Sequence, residues 1–150
     1  MSNKNYPIWW DKTITIYNKF EDSQTQVVKW YKHTVSQCFY KSISDKILVG
    51  NTVLESNNII CRIPKQADFL ARHDWINTPN DEMQNYFTLG VGDIIINASV
   101  DDDIDEYKQG KRSTDLLAKY KSLQGCFEIQ EIAINTGIGR CLEHYYVKGA

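Results

Sequence analysis

Apolar and polar residues alternate with the two-residue period of a β-strand along much of the chain, and the run Ile94-Ile95-Ile96 is the clearest departure from it. In residues 13–20 (TITIYNKF), Ile14 and Ile16 share one face and Thr13 and Thr15 the other, the pattern of a half-buried strand. The polar link EDSQTQ reads as a hairpin loop. Residues 27–31 (VVKWY) then form the return strand and residues 34–40 (TVSQCFY) a third, which together make a meander. Residues 47–49 and 52–54 flank a Gly50-Asn51 turn and predict another hairpin. Residues 59–63 (IICRI) predict a strand that Pro64 ends, because proline cannot donate to a ladder.

Residues 67–75 (ADFLARHDW) predict a short helix, broken at Asn77, Pro79 and Asn80, within an excursion over the surface spanning residues 65–86. The organising stretch comes next, at residues 87–106. Gly90-Val91-Gly92-Asp93 is a turn signal, and the β-branched isoleucine run behind it is too short for a helix, so it predicts a buried strand. That strand delivers a loop with five acids in six residues: Asp101, Asp102, Asp103, Asp105 and Glu106. Ser113, Thr114 and Asp115 are N-cap candidates for a helix whose Leu116, Leu117, Tyr120 and Leu123 share one face, and Gly125 ends it. In residues 126–134 (CFEIQEIAI), Phe127 and Ile129 lie on one parity and Ile132 and Ile134 on the other, which predicts a bulge near Gln130-Glu131. Residues 135–139 turn the chain, and residues 142–147 close it with a strand. The fold expected is mainly β (α+β): a single antiparallel barrel- or sandwich-like domain over residues 13–150, with one or two short helices and long loops. An N-terminal arm, residues 1–12, precedes it. Trp9 and Trp10 in that arm either dock on their own domain or anchor on a partner.

Composition narrows the class. A chain of 150 residues, 42% hydrophobic and 24% charged, suits one domain with a real core. Aromatic residues at 12% favour strands and interfaces over helical bundles. With a net charge of −2 and no Lys/Arg block, the electrostatic footprint of an independent nucleic-acid binder is missing. No apolar run approaches the roughly 20 residues that span a bilayer, and MSNKNYPIWWDK lacks the apolar core of a signal peptide, so a protein made and kept in the cytoplasm is expected. Cys38, Cys61, Cys126 and Cys141 form no C-x-x-C pair and read as buried free thiols.

Candidate chemistry is sparse. Asp101, Asp103 and Asp105 match positions 1, 3 and 5 of a calcium loop, but Glu106 replaces the glycine at position 6 and Arg112 the glutamate at position 12. The acidic loop therefore reads as a solvated face, or as one that pairs with basic residues of a neighbouring chain. His33, His73 and His144 sit in no ligand spacing. His144, beside Glu143 and Tyr145, is a general base in principle, with a surface or interface histidine as the plainer reading. No serine elbow or phosphate loop occurs, and neither Gly-x-Gly pair has the third glycine of a dinucleotide fingerprint. No enzymatic activity, catalytic residue, cofactor or metal is expected. The alternative is a small β-barrel ligand-binding or enzymatic protein that uses a pocket near the acidic loop.

Four pieces, taken in order, carry a family resemblance: ITIYNKFEDSQT at 14–25, IICRIP at 59–64, LGVGDIIINASVDDDID at 89–105 and HYYVKG at 144–149. Their succession resembles the small head–tail connector proteins of tailed bacteriophages, also described as minor capsid proteins. Those proteins carry a turn and strand of the form GDIIVxG, where Asn97-Ala98 stand here in place of the last glycine. The resemblance implies a β-barrel-like structural subunit of the virion neck, assembled in the host bacterial cytoplasm. Copies would form a homo-oligomeric ring between portal and tail as head-closure (stopper) or adaptor protein, with tail terminator the nearest variant. Such a ring helps retain packaged DNA, which passes through without sequence-specific binding, and provides the tail attachment surface. Its partners are further copies of itself, portal or adaptor proteins and tail proteins, with no membrane and no catalytic residues. Candidate interface residues are Trp9, Trp10, Asp101, Asp102, Asp103, Asp105, Glu106, Lys111 and Arg112.

Overall fold

Six strands, β1 (Lys12–Glu21), β2 (Val28–Val49), β3 (Thr52–Pro64), β4 (Ile94–Ile96), β5 (Cys126–Asn135) and β6 (His144–Gly149), and two helices, α1 (Arg72–Ile76) and α2 (Ser113–Lys121), make up the computed structural model, which describes residues 7–121, 123–135 and 143–150. The strands close an antiparallel barrel in the order β1-β2-β3-β6-β5-β4. β1, β2 and β3 form a meander, but not the one expected from residues 13–20, 27–31 and 34–40. Residues 27–31 and 34–40, read as separate strands, belong to the single β2, whose Lys32 and His33 pair in register with Tyr17 and Ile16. Polar residues alone do not break a strand; a turn needs backbone angles that nothing at Lys32-His33 demands. The interruption comes later, as a bulge. Lys12 pairs with Cys38 but Ile14 with Val35, and Gln37 takes the extra residue at φ 60°. Just past that bulge β2 exchanges β1 for β3 as its partner.

Because β2 and β3 are long, their pairing outruns the barrel. β3 residues 59–64 pair with β6, whereas residues 52–58 pair only with β2, so a two-stranded ribbon projects beyond the closed wall and turns at Gly50-Asn51. The expected hairpin at that turn is present, with Gly50 at φ 62°. Residues 59–63, read as a strand of their own, are its continuation.

Two layers of core explain the isoleucine run. Ile95 joins Ile14, Ile16, Phe127 and Val147 inside the barrel. Ile94 and Ile96, on the opposite face by strand alternation, pack outside it with Tyr17, Ile104, Leu116 and Tyr120. The acidic segment and α2 cover that outer face, so β1 is buried on both sides from Ile14 to Asn18 and not half-buried as its alternation suggested. In α2, Leu116 and Tyr120 are buried and Leu117 partly so, while Leu123 lies past the helix and is 64% exposed. The N-cap candidates Ser113 to Asp115 form its first turn instead. Glu106 accepts the Ser113 N–H (2.6 Å), and Asp115 accepts the Arg112 N–H (3.1 Å), as the third residue of a capping box does. The bulge expected in β5 is present between Ile129 and Glu131.

The excursion over residues 65–86 runs over the surface as expected, but it is anchored into the core at Trp75 and Met83. Its helix is confined to Arg72–Ile76, Phe69 forms an isolated bridge to Phe87, and Trp75, Met83 and Phe87 are fully buried. Large side chains at irregular spacing carry no period, which is why they read as loop. Residues 1–6 of the arm, the turn at Gly137 and Gly139, Cys141 and the start of the closing strand at Leu142 lie outside the described residues; described β6 runs from His144. Among the described residues no helix is long and apolar enough to cross a membrane.

Cys38, Cys61 and Cys126 are free and buried, and burial pushes the Cys38 thiol up to about 12. A thiolate-directed alkylating reagent is therefore expected to leave these three unmodified in the native protein and to modify all three after denaturation. Mass mapping of the peptides checks this; rapid native labelling at Cys38 or Cys61 would mean that the barrel opens.

Candidate functional site

The Gly90–Asp93 turn is where the chain spends its buried polar groups. The Asp93 N–H donates to the Gly90 carbonyl (3.1 Å), closing a β-turn in which Gly92 takes φ 97°. Gly90 serves differently: a Cβ there would meet the Arg72 guanidinium, with Nη1 at 2.8 Å. That guanidinium donates to the Asp93 carboxylate (2.8 Å) and to the Lys19 carbonyl (2.7 Å). Asp93 is fully buried and also accepts from Asn18 Nδ2 (2.8 Å) and the Lys19 N–H (3.0 Å). Asn18 in turn bridges to both backbone groups of Thr88 (2.6 and 3.1 Å). Burial raises the Asp93 carboxyl above its ordinary value, against the pull of Arg72, Lys19 and Asn18. Arg72, Asn18 and the Lys19 N–H all donate to the Asp93 carboxylate and no solvent reaches it, so the network ties β1, α1 and the turn before β4 together and is closed to substrate. The sequence marks the turn and its aspartate but not Arg72, which arrives from 21 residues earlier.

The acidic stretch behind β4 is a strap across the outer core, pinned mainly by its own chain. The Tyr17 hydroxyl donates to the Asp102 carbonyl (2.6 Å), and the Thr15 hydroxyl donates to the Ala98 carbonyl (2.7 Å). Lys32 donates to the Asp101 carbonyl (2.8 Å) and pairs with the Asp103 carboxylate (3.2 Å). Lys119 pairs with Asp102 (2.8 Å) and holds that carboxyl below its usual value. Asp105 accepts the Tyr107 N–H, and Glu106 caps α2 through Ser113. Of the acids expected at an interface, Asp102, Asp103, Asp105 and Glu106 thus have partners within the subunit, because folding brings Lys32 and Lys119 beside the strap, while Asp103 and Asp105 stay exposed. Asp101, Lys111 and Arg112 are exposed. With Asp102, Asp103, Asp115 and Lys119 they line an open cleft of about 370 Å³, the pocket near the acidic loop foreseen by the ligand-binding alternative. Its lining carries charges of both signs, and exposed pairs of this kind are weak.

The paired tryptophans divide. Trp10 is buried, edge-on to His144 at 5.5 Å and tilted against Phe39 at 6.5 Å, the first of the two readings given for the arm, docking on its own domain. Trp9 is 64% exposed. His144 is buried as well, not on the surface. Arg62 donates to its Nε2 (2.9 Å). His33 pairs with Asp68 (2.7 Å) and stacks on Phe87, and His73 is exposed on α1.

The model of a family of unknown function, DUF6751, matches residues 9–150. The chain belongs to DUF6751. No curated protein and no solved structure matches it significantly. The matched region takes in Trp9 and Trp10 ahead of β1, the whole closed barrel, the strap and the projecting ribbon. In this DUF6751 chain the sequence predicts the hairpin at Gly50-Asn51 but not its projection beyond the barrel as a ribbon. Leu48 is 71% exposed, Val49 55% and Val53 60%, in a protein whose other β-branched and aliphatic strand residues mostly face a core. The signal was present in the sequence: apolar residues press close to both sides of the Gly50-Asn51 turn, where a hairpin loop is ordinarily polar.

Proposed function

We propose that this chain is a structural subunit of the neck of a tailed bacteriophage. Copies of it form a ring between portal and tail, as head-closure or adaptor protein, that helps retain packaged DNA and offers the tail an attachment surface. The observation that carries the reading is the ribbon. A two-stranded hairpin is marginal in water by itself, and this one leaves the barrel with Leu48, Val49 and Val53 exposed around its turn. An apolar projection on an otherwise well-packed barrel suits an assembly element, and among the described residues Leu48, Val49 and Val53 are left exposed. Two further features support a structural role. The barrel interior is filled by side chains from Ile14 to Val147, and the buried carboxylate and buried histidine are held by Arg72 and Arg62. A mildly acidic surface also lets a ring surround DNA without gripping it.

The test is co-expression with the portal protein of the same genome, followed by electron microscopy of the purified complex. The expected result is a ring of added density stacked coaxially on the portal. Protein that stays off the portal at every ratio would overturn the reading.

A further inference from the structure

We draw no further inference here: the strongest candidate, the exposed apolar tip of the β2–β3 ribbon at Leu48, Val49 and Val53, belongs to the reading already proposed, and nothing in the structure shows what covers it.

Discussion

Replacing Arg72 with Met is expected to lower stability by about 3–5 kcal/mol at neutral pH, the cost of stripping one partner from a buried ion pair. The asymmetry of the pair sets the direction. Arg72 is about a third exposed, with 35% of its side-chain surface accessible, whereas Asp93 has none. Losing Arg72 therefore strands a carboxylate that cannot reach water. The pH dependence follows from the raised Asp93 carboxyl. A carboxyl whose native value lies above its unfolded one, about 3.9, stabilises the fold fully below that unfolded value and loses the contribution as pH rises through the native value. Without Arg72 the native value climbs further. The gap in melting temperature between wild type and Arg72→Met should then be widest near neutral pH and close toward about pH 4. Adding Asp93→Asn to Arg72→Met should recover most of the loss at neutral pH, because the stranded charge is gone. A gap that does not change with pH would show that Arg72 acts through its packing on the Trp75 ring, 5.3 Å away, and not through charge.

Gly149→Ala is the second large effect. Gly149 pairs with Ile59 on one side and Ile129 on the other, at the seam where β6 joins β3 to β5 and beside the β5 bulge. A Cβ there would overlap the Glu128 carbonyl oxygen and the Phe127 ring. One of those atoms is backbone, so the clash is relieved only by moving a strand of the barrel wall. Overpacking usually costs 1–3 kcal/mol, and the upper end, about 3 kcal/mol, is expected here. For a domain of this size that is a fall in melting temperature of about 6–12 °C. Gly110→Ala is the control. Gly110 has φ 84° and open space where a Cβ would go, so it carries only the left-handed backbone penalty of about 1–2 kcal/mol. Equal losses at the two positions would mean that close approach at the seam is not what requires Gly149.

Asp102 and Asp103 face Lys119 and Lys32 of their own subunit, so in the proposed ring salt should act only weakly on assembly.

The strands, the Gly50-Asn51 hairpin, the β5 bulge and the buried isoleucine strand were all legible in the sequence. Each is a local property: a period of two, a change of parity, or a turn residue that only certain backbone angles suit. The Gly90–Asp93 turn was legible for the same reason. Its function was not, because the partners of Asp93 come from Arg72 and Asn18, and a side chain does not announce which distant group will meet it. The continuity of β2 was hidden too, since Lys32 and His33 look like a break until β1 is laid beside them. Likewise the acids from Asp101 to Glu106 declare a surface, but only closure of the barrel brings Lys32, Tyr17 and Lys119 against them. The sequence by itself determined which segments are extended and where they turn, because those choices are made by neighbouring residues. Tertiary structure alone decided that the strands close, that β2 and β3 outrun the wall, and that Trp10 is buried while Trp9 is left outside. Those outcomes depend on register between segments far apart in the chain, which no local pattern encodes.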